Sequence, residues 1–329
     1  MQRRARGLIA SAIVQLAKMQ DSESLSLQVL LQLTPFHMSY AMAKEAKRRL
    51  IPVKSMRRKL VMVTNDDGIL SHGLRDLATS IMKYADVVVV APDSPQSASA
   101  LSLTLHKPLR VEKFGAGKIE SYAVSGTPGD CVVVGIKKVL GRKPDLVASG
   151  INLGDNDSLQ DILGSGTVAA ALKASLMDVP AIAFSMEVRE DLVFGIGDEQ
   201  PDFRKAAMVA GELVREVLQT GMPHGVNILN VNFPGDLKGD TGLELTTVAP
   251  RKYVEMALTR KDPRGKSYYW IFSKRLSKFP EGSDTKTVVV DRKISITPIT
   301  LRMTKDDITD LAGLTKKVEK RVERAFRIG

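Results

Sequence analysis

Three apolar runs in the first half of the chain end in clusters of oxygen-bearing side chains. Asn65-Asp66-Asp67-Gly68 follows Lys59 to Thr64, Ser94-Pro95-Gln96-Ser97-Ala98-Ser99 follows Asp86 to Asp93, and Ser149-Gly150-Ile151-Asn152-Leu153-Gly154-Asp155-Asn156 follows Pro144 to Ala148. Carboxylate, hydroxyl and amide oxygens together suit a hard divalent cation such as magnesium or manganese, and do not suit copper or zinc. The adjacent carboxylates of Asp66 and Asp67 sharpen this reading. Neighbours on an extended strand face opposite sides, so the two can serve one centre only if the chain bends, which Gly68 permits. Held close, they repel unless a cation or a shared proton compensates. Each cluster taken singly is also ordinary turn chemistry; three of them at strand ends carry more weight.

A second kind of chemistry is suggested by Gly164-Ser165-Gly166-Thr167, which opens directly into Val168-Ala169-Ala170-Ala171. Small residues at a helix start expose backbone N–H groups and positive dipole to a phosphate, and the same residues serve equally as a plain N-cap. Ser125-Gly126-Thr127-Pro128 repeats the pattern, with Thr127 as N-cap and Pro128 at the first helical position. Cys131 just beyond it reads as a small buried side chain. A G-x-G-x-x-G after the first strand, a G-x-x-x-x-G-K-[ST] and a G-x-S-x-G are all absent, which excludes the dinucleotide fingerprint, the P-loop and the nucleophile elbow. His72, His106 and His224 read as surface or packing residues.

The elements that must position these groups alternate between β-rich and helical stretches from residue 59 onward, the pattern of a parallel sheet with crossover helices, hence an α/β fold. Strands are expected at 59–64, 86–91, 144–149, 181–185 and 226–233, a hairpin at 109–124, and helices at 74–84, 128–140, 166–177 and 203–220. The core alternation is complete by about residue 190 on this reading. Beyond residue 233 short runs at 243–248, 254–258, 268–272 and 294–299 look antiparallel, and a charged helix closes the chain at 304–326. Strand ends of an open α/β sheet line a crevice where strand order reverses, so the three oxygen clusters are placed to share one site.

The 329 residues, 43% of them hydrophobic, suffice for a large core. A net charge of +11 raises nucleic acid or an anionic surface as a partner, but residues 1–55 contribute 9 − 3 = +6 of it. We read 1–55 as an extension outside the fold, with Met56 as an alternative start, 56–240 as the catalytic core, and 241–329 as a hairpin and helix region. One cysteine allows no intrachain disulfide and, with four scattered histidines, makes a zinc site improbable. The cytoplasm is the expected compartment.

The ordered motifs NDDGI, APDSPQSASALSLTLHKPLR, SGTPGD, SGINLGDN and SGTVAAA, followed by GMPHGVNILNVNFP, DPRGKSYYW and ISITPIT, resemble the SurE family of survival-protein nucleotidases over about residues 59–300. The wording is closest to archaeal members. The resemblance implies a Rossmann-like catalytic core, a C-terminal part used in oligomerisation, and a metal-dependent phosphomonoesterase that acts on nucleoside 5′-monophosphates. It implies one magnesium or manganese ion per subunit, held by Asp66, Asp67, Ser97 and Asn152, with Asp66 and Asp67 catalytic. Asp66 is the expected group to orient or deprotonate the attacking water. It implies that Asn65, Gly68, Ser165, Gly166 and Thr167 shape the phosphate and substrate loops. A homodimer or homotetramer is expected, with no stable nucleic-acid or membrane partner. Many members have a tyrosine where this chain has Gly164, and a basic run where it has Ser94-Pro95-Gln96, so substrate preference is open. The alternative is a nucleotide- or RNA-binding protein without catalysis. An aspartyl-phosphate phosphatase is disfavoured because that chemistry uses D-x-D spacing.

Overall fold

The computed structural model describes residues 57–115, 117–188, 201–304, 309 and 312–328. The chain divides between Arg57 and Arg58, and the elements below lie in the unit from Arg58 onward. The expected extension at 1–55 lies outside the described residues.

Strand β1 (Leu60–Thr64) is buried along its whole length. Val61 and Val63 enter one hydrophobic cluster and Met62 enters another, so β1 is apolar on both faces and belongs in the middle of a covered sheet. It pairs in parallel with β2 (Asp86–Pro92) on one side and β5 (Leu146–Leu153) on the other. The sheet is completed by β3 (Val111–Lys113), β4 (Glu120–Val124), β6 (Ala181–Met186), β7 (Ile228–Phe233), β8 (Leu243–Leu245) and β11 (Ile294–Ile299), in the order β3-β4-β2-β1-β5-β6-β7-β11-β8. From β1 the chain builds outward first through β2 and then, on the other side, through β5. The order therefore reverses between β1 and β5, and a crevice opens there at the carboxyl ends of the strands.

Helices cover both faces. Helix α1 (His72–Ile81) buries Leu74, Leu77, Ala78 and Ile81, an i, i+3, i+4, i+7 stripe, in the same cluster as Ala206, Ala207, Ala210 and Val214 of α5 (Arg204–Thr220). On the opposite face, α2 (Pro128–Val134) and α4 (Gly166–Ser175) bury Cys131, Val132, Val168, Ala170 and Ala171. Thr127 caps α2, with Asp130 completing the capping box and Pro128 in the first turn. Three shorter or later helices follow: α3 (Leu159–Gly164), α6 (Asp284–Val289) and α7 (Ala312–Ile328). No helix among the described residues is long and apolar enough to cross a membrane.

The structure departs from the sequence reading in four places. The helix expected to run through 128–140 is α-helical only to Val134 and continues as a π-helix over Gly135–Val139. Strand β5 does not end at Ser149 but runs to Leu153, because β6 remains beside it: Ser149 pairs with Ala183 and Asn152 with Ser185, three residues of advance against two. The bulge absorbs the extra residue and re-aims the strand end. The sheet is not complete at residue 190, since β11 pairs antiparallel with β7 and β8 pairs in parallel with β11. Helices α3 and α6 were not foreseen at all. The hairpin expected at 109–124 is present as β3 paired antiparallel with β4, and the one expected in the C-terminal region as β9 (Tyr253–Lys261) paired antiparallel with β10 (Ser267–Arg275) in a sheet of its own.

Candidate active site

The polar end of β1 lies at the β1/β5 reversal. Thr64 is the register partner of Ser149, and Asp66 and Asp67 follow immediately. Gly68 takes a φ of 93°, the left-handed conformation that a residue with a Cβ rarely adopts, and the Asn65 amide donates to the Gly68 carbonyl at 3.1 Å. The bend expected at this glycine is thus closed by its own asparagine. Asp67 Oδ2 accepts from the Leu153 N–H at 3.1 Å, which ties it to the residue after Asn152. Asn152 donates its Nδ2 to the Gly154 carbonyl at 2.8 Å, so its amide oxygen is the end free to serve a cation.

The loop after β2 is laid across the same place by the Gln96 N–H, which donates to the Asp66 carbonyl at 2.7 Å, and by the Ala100 N–H, which donates to the Gly164 carbonyl at 3.1 Å. Ser97 sits exposed one residue beyond the first of these bonds. Ser165 caps α4, its Oγ accepting from the Val168 N–H at 3.1 Å. The anion at this helix start is the carboxylate of Asp66: Thr167 Oγ1 donates to Asp66 Oδ1, and the nearby Gly166 and Thr167 N–H groups favour its charged form. A helix N-terminus stabilises a nearby negative charge, so the small residues expected to cradle phosphate also hold the first of the two aspartates.

Burial nonetheless pushes the Asp66 carboxyl above its ordinary range, against these hydrogen bonds. Asp67 is raised to about 7, by burial first and by the Asp66 charge second, with the Leu153 N–H opposing. Among the described residues no lysine, arginine or histidine pairs with either carboxylate. Three further oxygens at this end of β1 and β5, Thr64 Oγ1, Asn65 Oδ1 and Ser149 Oγ, are buried without a hydrogen-bond partner. A buried and a half-buried carboxylate with no protein cation, among oxygen donors, are the arrangement a divalent cation stabilises; the residues fit that group.

A second acidic cluster is neutralised differently. One oxygen from each of Asp155, Asp157 and Asp161 lies within 4.8 Å of the others. The Lys252 ammonium reaches into this group, 2.6 Å from Asp155 Oδ2 and 2.9 Å from Asp157 Oδ1, and its side chain is 1% exposed. Burial opposes its charge, but the Asp155 and Asp157 carboxylates override burial and hold it above the ordinary lysine range. Asp284, also buried, is raised to about 7 mainly by burial, although the Ala249 and Thr285 N–H groups donate to its Oδ1 at 2.8 Å each. A raised carboxyl pKa means that the folded state holds the proton more tightly than the unfolded chain. Its stabilising effect is complete below about pH 4 and is lost as pH rises to about 7. Asp284→Asn is therefore expected to raise the melting temperature at pH 8 by about 2–4 °C and to leave it unchanged at pH 4. Equal shifts at both pH values would contradict the burial argument.

Sequence reasoning missed several residues here. Ser99 Oγ is buried without a partner against Gly166. Asn156, Ser185, Asn230 and Asn232 form one hydrogen-bonded group behind β5. Lys252 had no local signal, because it meets its carboxylates from almost a hundred residues away. The polar alternation Asn230, Asn232 inside VNILNVNF was the one sequence cue to the asparagine group. Cys131 is buried, as expected.

Comparison with known proteins gives a consistent result. The family described as "Survival protein SurE" matches residues 61–255. The chain is 44% identical over 246 residues to the 5'-nucleotidase SurE of Methanocella arvoryzae, covering 74% of this chain and 92% of that protein. It is 40% identical over 268 residues to the 5'-nucleotidase SurE of Thermofilum pendens, covering 80% and 99%. The crystal structure of a SurE protein from Aquifex aeolicus superposes with a TM-score of 0.65 at 34% identity, covering 79% of this chain and 99% of that one.

Proposed function

The chain belongs to the SurE family, and from that premise we propose that it is a 5′-nucleotidase, a phosphoric monoester hydrolase that converts nucleoside 5′-monophosphates to nucleoside and phosphate with one magnesium or manganese ion per subunit. The observation that carries the reading is the pair of adjacent carboxylates at the β1/β5 reversal, Asp66 buried and Asp67 half-buried, with no protein cation beside them among the described residues.

Asp66, Asp67, the Asn152 amide oxygen and the Ser97 hydroxyl hold the cation in this reading. A divalent cation held there would supply charge to offset the phosphoryl oxygens and to favour deprotonation of a water. Thr167 and the first N–H groups of α4 fix the Asp66 carboxylate, so Asp66 orients the attacking water and accepts its proton. The Ser165 hydroxyl oxygen caps α4, and its proton remains to donate to a phosphoryl oxygen, with Gly166, Thr167, Asn65 and Gly68 shaping the two loops. The water oxygen bonds to phosphorus as the bond to the 5′ oxygen breaks, and that oxygen leaves with a proton as the nucleoside hydroxyl. Excess EDTA is expected to reduce turnover of nucleoside monophosphates by at least about a hundredfold, and magnesium or manganese to restore it, since the cation supplies several kcal/mol of charge stabilisation. Full turnover in excess chelator would contradict the reading. A non-catalytic RNA-binding role rests on net charge alone and is not favoured.

The C-terminal part is assigned to a homodimer or homotetramer. Hairpin β9–β10 exposes Met256, Leu258, Tyr268, Tyr269, Trp270, Ile271 and Phe272, and α7 exposes Leu314, Val318, Val322 and Phe326 at intervals of four. Apolar surface on this scale marks an interaction site. Sedimentation of the full chain at micromolar concentration is expected to give a species larger than 35.9 kDa; a monomer would contradict the assignment.

A further inference from the structure

Lys252 immediately precedes β9, at the base of the hairpin, while the carboxylates it pairs with belong to the segment that leaves β5. That segment connects two parts of the candidate site, Asn152 near the end of β5 and Ser165-Gly166-Thr167 at the start of α4. Between them lies the Lys252 cluster. Asn156, flanked by Asp155 and Asp157, is held on three sides: its N–H donates to Asn232 Oδ1 at 2.7 Å, its Nδ2 to Ser185 Oγ at 2.7 Å, and its carbonyl accepts from Asn230 at 2.8 Å. Thr285 donates to the Asp157 carbonyl. Gln160 Oε1 accepts from the Lys252 N–H at 2.8 Å and the Tyr253 N–H at 3.0 Å. The Asp161 carbonyl accepts from the Ser165 N–H at 2.8 Å, which places the N-cap of α4 one bond from the cluster.

We propose that Lys252 is a positioning residue for the metal-dependent reaction, its ammonium drawing the Asp155 and Asp157 carboxylates together so that Asn152 and the start of α4 are presented to the same cation and phosphate. This rests on the 5′-nucleotidase reading above. Shape alone does not explain the arrangement. Without the ammonium, three carboxylates within 4.8 Å repel one another, and because burial already raises Asp157 and Asp161, the strand-end turn that contains two of them has either to take up a proton, losing the charge that fixes it, or to open. The other fixed points, the asparagine group and Gln160, are uncharged and cannot offset that repulsion. Lys252 thereby couples the hairpin base to the site: a displacement of β9 moves the ammonium, and the ammonium moves the turn that directly follows Asn152 and Leu153 at the end of β5.

The test compares manganese binding, followed calorimetrically without substrate, with kcat/KM on a nucleoside monophosphate, both in the full chain. Lys252→Met keeps the length of the side chain and removes its charge; it is expected to weaken manganese binding by about tenfold or more and to lower kcat/KM in parallel. Lys252→Arg keeps the charge and is expected to bind manganese within about threefold of wild type, the cost of a changed hydrogen-bond geometry alone. Asp155→Asn, which loosens the clamp without stranding a buried cation, is expected to weaken manganese binding by about threefold or more. A folded Lys252→Met that binds manganese as wild type does overturns the proposal. If Lys252→Met shows no cooperative melt, Asp155→Asn decides: unchanged manganese affinity overturns the proposal, and weakened affinity with an unchanged melting temperature supports it. A wild-type chain that neither binds manganese nor turns over the substrate overturns the reading of the site, whereas an active wild type with unaffected variants overturns only the role of Lys252.

Discussion

Asp67→Asn is expected to lower kcat on a nucleoside monophosphate by about a thousandfold or more at saturating manganese, the scale of several kcal/mol of lost charge stabilisation. Its folded structure should survive. In the metal-free protein the Asp67 carboxylate is held beside Asp66 with its pKa raised to about 7, so the charge is a burden on the fold near neutral pH. An amide keeps an oxygen able to accept from the Leu153 N–H and removes the repulsion. The metal-free variant should therefore melt at or above the wild-type temperature at pH 8 while its activity collapses. Turnover within tenfold of wild type would remove Asp67 from the reaction; loss of the cooperative melt would show that its charge serves the fold instead.

The two glycines of Gly164-Ser165-Gly166 should respond oppositely to alanine. A Cβ on Gly166 would lie 2.8 Å from Asp66 Cβ, 2.9 Å from Asp66 Oδ2 and 2.7 Å from Ser99 Oγ. Asp66 Cβ is one bond from the backbone and cannot swing aside, so either the start of α4 or the end of β1 must move. Overpacking of this kind costs about 1–3 kcal/mol of stability. The displacement falls on Asp66, the carboxylate proposed to orient the water, and a misplacement of about 1 Å can cost a hundredfold in rate. Gly166→Ala is therefore expected to retain the fold with a lowered melting temperature and to lose about a hundredfold in kcat. A Cβ on Gly164 would meet nothing within 4 Å, and Gly164→Ala is expected to match wild type in both measurements. Similar behaviour of the two variants would show that the close approach at Gly166 is not what sets the site.

Much of this protein could be read from the order of its residues. The buried strand at β1 was legible because four apolar residues in a row, Leu60 to Val63, can be satisfied only inside a sheet covered on both faces. Asp66 and Asp67 drew attention because charge at the end of such a strand needs a partner. Thr127 and Pro128 announced a helix start through local chemistry that needs no tertiary context. The extent of β5 was not legible. Ser149-Gly150-Ile151-Asn152 has the composition of a turn, and only the continued pairing with β6 makes Asn152 a strand residue. Helix α3 is only six residues long, too short for a periodic signal, and it is held by a Ser158 cap and by contacts to the Ala249 and Lys252 region.

The sequence by itself determined the parallel α/β class, the oxygen-donor character of the site and the carboxylate pair, since each follows from local pattern, from the chemistry of side chains or from motifs in a fixed order. Tertiary structure alone decided three things. The α4 start meets the Asp66 carboxylate, because strand β1 and helix α4 are brought together by the sheet order and not by proximity in the chain. Gly166 has no room for a Cβ where Gly164 has, because their difference lies in what another segment places beside them. Lys252 neutralises Asp155 and Asp157 because the hairpin base returns to the end of β5. A lone lysine in a sequence carries no sign of the distant carboxylates that will enclose it, and burial, which makes that pairing matter, exists only once the chain has folded.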